Sequence, residues 1–150
     1  MTTFLVTSRQ TLSGVTLASG DTEAVLFGGT ATSTIINGGF QDDAGTATNT
    51  TINGGYQFVE SGGTASNTTV YSGAEQLVMS GGTAAGTTIN SGGIEIIESR
   101  GTATGAIING GQQYVNSGGV ASNRRSTAAY RLCRWAALRE IRRCTVAKSS

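Results

Sequence analysis

Two tandem blocks, GGTASNTTVYSGAEQLVMS at 62–80 and GGTAAGTTINSGGIEIIES at 81–99, are copies of one unit, and weaker copies fill most of the 150-residue chain. Aligned on the Gly-Thr-Ala step, Thr30, Thr46, Thr64, Thr83, Thr102 and Val120 form one column with spacings of 16, 18, 19, 19 and 18 residues. Repetition at so short a period constrains the fold more than any other feature. One unit cannot bury its own apolar side and must do so by stacking on its neighbours, as in a solenoid.

The unit reads Gly-Gly-Thr-Ala-x-x-Thr-x-(Ile/Val)-x-x-Gly-Gly-x-x-x-(Val/Ile), which predicts two short strands separated by glycine corners. The first-strand column is Ile36, Ile52, Val70, Ile89 and Ile108, and the second is Val59, Val78, Ile97 and Val115. These runs are rich in β-branched residues and too short for stable isolated helices. Pairs such as Gly62-Gly63 and Gly81-Gly82 mark corners where positive φ is demanded. Asn37-Gly38, Asn53-Gly54 and Asn109-Gly110 are also hairpin-turn dipeptides, but equivalent strands recurring unit after unit favour parallel stacking.

The expected fold is therefore all-β, a parallel β-helix or β-solenoid of about five or six coils with a non-repeat tail. Three segments are expected: a degenerate first coil or edge at 1–27, the repeat at 28–123 and a basic tail at 124–150. In such a coil Thr34, Thr50, Thr68, Thr87 and Ala106 align their hydroxyls or methyls along one face. Gln57, Gln76 and Gln113, with Glu95, share strand parity with the Val/Ile column. They form either an internal amide ladder broken by one acid or, if the strand bends, an outer row. The exposed edges of the end coils should favour self-association.

Composition narrows the functions. The chain has 23 Gly, no Pro and no His, which removes the commonest general base and metal ligand. No cofactor or metal site is expected. Asp42-Asp43 is the sole adjacent acidic pair and stands where other units carry strand residues. A glycan-processing enzyme on a β-helix would need such acids beside a groove, but the pair reads more simply as a degenerate, solvated turn. A Thr-rich ice-binding solenoid is the other alternative, weakened by Ile35 and Ile107 entering the Thr51, Thr69, Thr88 column. The start, MTTFLVTSRQ, lacks the basic n-region and apolar run of a secretory signal.

Residues 28–123, and more loosely 10–27, resemble the strand-loop-strand repeats of AIDA-like autotransporter adhesin passengers; SGGTASNTTVYSG at 61–73 matches the family consensus. The resemblance implies a β-helical stalk displayed on a Gram-negative outer membrane, with roles in adhesion, autoaggregation and biofilm growth. It implies a surface receptor as partner, and a heptosyltransferase, because relatives are O-heptosylated on Ser and Thr. Positions matching the hydroxyl pattern are Thr64, Ser66, Thr68, Thr69, Thr83, Thr87 and Thr88. Asn49-Thr50-Thr51 and Asn67-Thr68-Thr69 match the N-glycosylation sequon by coincidence of the repeat.

Charge is divided unevenly. Up to Asn123 there are two basic residues against eight acidic ones, a net of −6; from Arg124 onward eight basic residues face one acid, a net of +7. Leu132, Trp135, Leu138 and Ile141 recur at three-residue steps, as in a basic amphipathic helix. Back-translation with GC-rich codons and a one-base shift instead gives TTVNSGVSAVSVGGVAGNTTVYSGE directly after Asn123, which is the repeat resumed in register. The tail thus reads as a frameshifted end of a truncated passenger, and Cys133, Cys144 and Trp135 as residues without site chemistry.

Overall fold

The computed structural model describes residues 1–127. The tail readings on Leu132, Cys133, Trp135, Leu138, Ile141 and Cys144 lie outside the described residues. From Thr3 to Ser126 the chain winds as a solenoid of three-sided coils whose strands pair in parallel with their equivalents one coil away. Parallel stacking, not hairpin pairing, is what the NG corners serve.

The first side is a seven-stranded sheet made of Thr11–Ser13, Thr30–Thr32, Thr46–Thr48, Thr64–Ser66, Thr83–Ala85, Thr102–Thr104 and Val120–Ser122. The second and third sides share a twelve-stranded sheet. The second side includes Thr69–Val70, Thr88–Asn90 and Ile107–Asn109; the third includes Ala74–Val78, Ile94–Ile97 and Gln112–Val115. In two coils both sides run as one strand, Ile35–Asp43 and Thr51–Val59.

The repeat therefore has a third strand, Thr-Ala-Thr, beyond the two read from its pattern, and seven coils stack where about five or six were expected. Residues 11–27 and 120–126 supply the additional layers. A third corner separates the first and second sides. It is formed by Ser33, Asn49, Asn67 and Asn123, all with φ between 52° and 57°, or by Gly14, Gly86 and Gly105. Asn is the non-glycine residue best suited to that left-handed conformation. Both sequon asparagines, Asn49 and Asn67, stand at this corner.

The core is a stack of columns. Ala31, Ala47, Ala65, Ala84 and Ala103 point inward from the first side, Ile36, Ile52, Val70 and Ile89 from the second, and Val59, Val78 and Ile97 from the third, all buried. Ala recurs in this column where three sides converge on a narrow interior, and Leu12 takes the same place only in the first coil.

Register survives the unequal spacings because the corners absorb them. Ile36 to Gln41, Ile52 to Gln57 and Ile108 to Gln113 are five-residue steps, whereas Val70 to Gln76 and Ile89 to Glu95 are six. From Asp43 to Thr46 is three residues, against five from Val59 to Thr64. These differences account for the 16-, 18- and 19-residue units.

Candidate functional site

Two kinds of polar row run along the solenoid. The inner row is Glu23, Gln41, Gln57, Gln76, Glu95 and Gln113, all buried. Gln41 Nε2 donates to Glu23 Oε2 at 2.6 Å, Gln57 Nε2 to Gln41 Oε1 at 2.7 Å and Gln76 Nε2 to Gln57 Oε1 at 2.8 Å. The amides thus form an internal ladder, the first of the two arrangements that strand parity allowed. Gln41 and Glu23 extend it beyond the members read from sequence; they are found by counting two residues back from Asp43 and Val25 in the same column.

Thr34, Thr50, Thr68 and Thr87 face this ladder from the start of the second side. Their hydroxyls donate to Glu23 Oε2 at 2.8 Å, Gln41 Oε1 at 3.3 Å, Gln57 Oε1 at 3.1 Å and Gln76 Oε1 at 2.8 Å. Buried polar groups are tolerated when hydrogen-bonded, and Thr and Gln satisfy each other coil by coil. Thr68 and Thr87, taken from sequence as glycan acceptors, are 1% exposed and committed to this network. Strand alternation turns their hydroxyls inward, out of reach of any enzyme acting on the folded coil.

The other five acceptor positions face outward. Thr64 and Thr83 pair across coils, as do Ser66 with Ala85 and Thr69 with Thr88, and each of the five hydroxyl residues is partly exposed. A more accessible row was missed. Ser61, Ser80, Ser99 and Ser117 occupy one corner in four coils and are exposed, and Ser72 and Ser91 do so at another. Glycine in the next coil makes room for several of them: a Cβ on Gly81 would stand 2.7 Å from Ser61 Oγ, and one on Gly118 2.9 Å from Ser99 Oγ. The recurrent Ser-Gly step was the available signal.

Asp42 and Asp43 are not a solvated turn. They end the strand Ile35–Asp43 and point to opposite faces, Asp42 outward and Asp43 into the Val column between Val25 and Val59. Two carboxyls on opposite sides of a sheet cannot converge on one substrate. Burial pushes the Asp43 carboxyl up to about 7, against the pull of the Gly45 and Ala47 amides and with the nearby Glu23 adding to the rise. Burial also raises Glu23, Asp42 and Glu95. Among the described residues no group of three or more His, Cys, Asp or Glu could hold a metal ion.

A ladder-filled interior, corner glycines and outer hydroxyl rows are the geometry of a repeat stalk, and residues 40–93 and 55–111 match the family described as "Adhesin of bacterial autotransporter system, probable stalk". The solenoid belongs to the AIDA-type autotransporter adhesin stalks. Its fold agrees with the crystal structure of a TibC-catalysed, hyper-glycosylated TibA fragment at a TM-score of 0.78 and 38% identity. The alignment covers 83% of this chain and 49% of that fragment. None of the curated proteins matches. As an AIDA-type stalk the chain is of a kind displayed at the bacterial outer surface.

Proposed function

We propose that this stalk section works by rigid display and lateral association at a bacterial surface, in adhesion, autoaggregation or biofilm formation, and that it is an acceptor of O-linked heptose. The observation that carries the acceptor reading is the division of hydroxyls into an inner set committed to glutamines and outer sets free of the core. The likeness to a hyper-glycosylated TibA fragment supports it. The acceptor set is then Thr64, Ser66, Thr69, Thr83 and Thr88 together with Ser61, Ser80, Ser99 and Ser117. Co-expression with TibC followed by intact-mass and peptide mapping tests it. Heptose increments on these positions are expected; an unchanged mass, or sugar on Thr68 or Thr87, would sink the assignment.

Association is tested by displaying the repeat on cells and following their sedimentation, with display confirmed by surface labelling. Settling no faster than that of cells bearing an unrelated solenoid defeats the proposal. A catalytic role is not proposed, since Asp42 and Asp43 diverge. Cleavage of a glycan panel that disappears when both are changed to Ala would overturn that.

We further propose that residues from Arg124 onward are out of frame. Arg124 follows Ala106 in the Thr column, and Ser126 pairs with Ile108 in the Ile/Val column, where the shifted frame would supply Thr and Val. Sequencing of the locus that returned the same frame without a compensating reading frame downstream would refute it.

A further inference from the structure

The amide ladder has a direction. Each Nε2 donates toward the N-terminal coil, so every member after the first must be a donor on one side and an acceptor on the other. The pairs Glu23–Gln41, Gln41–Gln57 and Gln57–Gln76 are closed in this way, and Gln113 Nε2 closes the last pair on Glu95 Oε2. Between Gln76 and Glu95, in register on neighbouring strands, no such bond is made. This is the one pair whose C-terminal member has a carboxyl and an amide oxygen in front of it.

Glu95 is fully buried, and its Oε1 has no partner. Position 106, which would bring a Thr hydroxyl to it as Thr87 brings one to Gln76, is Ala. Glu23 also has an unpartnered Oε1, but what faces it differs. It receives both Thr34 and Gln41 on Oε2, and the residue behind it in register is Phe4, which presents no oxygen.

We propose that Glu95 is held as a neutral carboxylic acid whose Oε1–H donates to Gln76 Oε1, so that one proton completes the ladder and its loss parts the two coils electrostatically. A buried carboxylate facing an amide oxygen would set acceptor against acceptor in a low-dielectric interior, whereas the acid reproduces the donor that an amide would supply. The groups facing Glu95 from its neighbours are Gln76, Thr87 and Gln113, which do not titrate, and Arg124, which does not lose its charge. Arg124 lies beyond Gln113, to whose Oε1 it donates at 2.9 Å, and its field favours ionisation. Burial is the dominant influence and raises the carboxyl, against the larger pulls of the Gln113 amide and the Thr87 hydroxyl as well as that of Arg124.

Because the folded value lies above the unfolded one, this contribution is complete at low pH and is lost as pH rises through the folded value. The stalk is thereby acid-tightened at one rung. Thermal unfolding of the chain and of Glu95→Gln tests this between about pH 4.5 and about pH 9. Nearly equal midpoints are expected at the acidic end, and the amide variant should be higher by about 4 °C at the alkaline end. Parallel curves, or a Glu95→Gln chain less stable at alkaline pH, would overturn the proposal and assign Glu95 an ionic role with Arg124. A second readout needs no Glu95 variant: an NMR titration of the Glu23→Gln chain carrying 13C at the glutamate carboxyls. One glutamate should titrate well above the others; a set that all titrate in the ordinary range would also refute it.

Discussion

The coils at 64–101 and those at 30–63 use the same three strand columns but manage their corners differently. In the first region two 19-residue units follow each other in step, and a corner of glycine or, at Asn67, asparagine separates every strand. In the second, shorter corners fuse the second and third sides into nine-residue strands, and the corner after Asp43 has two residues fewer. There the chain puts an acid where its neighbours have Val, and Asp43 Oδ1 accepts the Gly45 N–H at 3.1 Å. Outside, Phe40 stacks on Tyr56 with centroids 5.6 Å apart, and Tyr56 on Phe58 at 6.0 Å. Regular coils are held by identical columns, whereas the compressed ones add local fastenings: a buried cap within and stacked rings without.

The junction between the two regions gives the largest expected effect. A Cβ on Gly63 would stand 1.9 Å from Asp43 O, whereas one on Gly62, at φ 82°, meets nothing within 4 Å. Gly63→Ala should lower the unfolding midpoint by more than about 10 °C or prevent folding, and Gly62→Ala should cost only about 1 kcal/mol through its left-handed backbone. Equal losses in calorimetry would mean that the tight corner can open. Next in size is the buried cap. With its folded value near 7 and raised, Asp43 contributes most below the ordinary carboxylate range, and its contribution is lost as pH rises through about 7. Asp43→Asn, which keeps an acceptor for Gly45, should flatten the fall in midpoint between about pH 5 and about pH 8. An unchanged pH slope would break the link between acid and corner. Smallest is the outer stack: Tyr56→Ala should cost about 1 kcal/mol in denaturant unfolding, and Leu77→Ala in the regular region, where no ring stack is present, tests whether the aromatic pairing adds to ordinary packing.

The columns of Ile, Val and Thr were legible because identical residues recur at fixed positions, and both the parallel stacking and the stalk family follow from them. The first side was harder to see. Its inward residue is Ala, which carries little apolar signal, and its corner accepts Asn, Ser or Gly, so no single letter marks it. Inward and outward hydroxyls could not be separated until the third corner was located, since it decides the direction of Thr68 and Thr87. Asp43 misled for a related reason. An acid pair next to a shortened unit looks like a turn, but the deletion lies after it, and strand register carries Asp43 into the core.

Placing length variation in the corners has a consequence for how such a protein can change over generations. A duplicated or deleted unit leaves every remaining column aligned, and each coil adds about 4.8 Å along the axis. Gain or loss of whole units can therefore lengthen or shorten the projecting rod in fixed steps without redesigning its interior, and reach becomes a trait set by copy number.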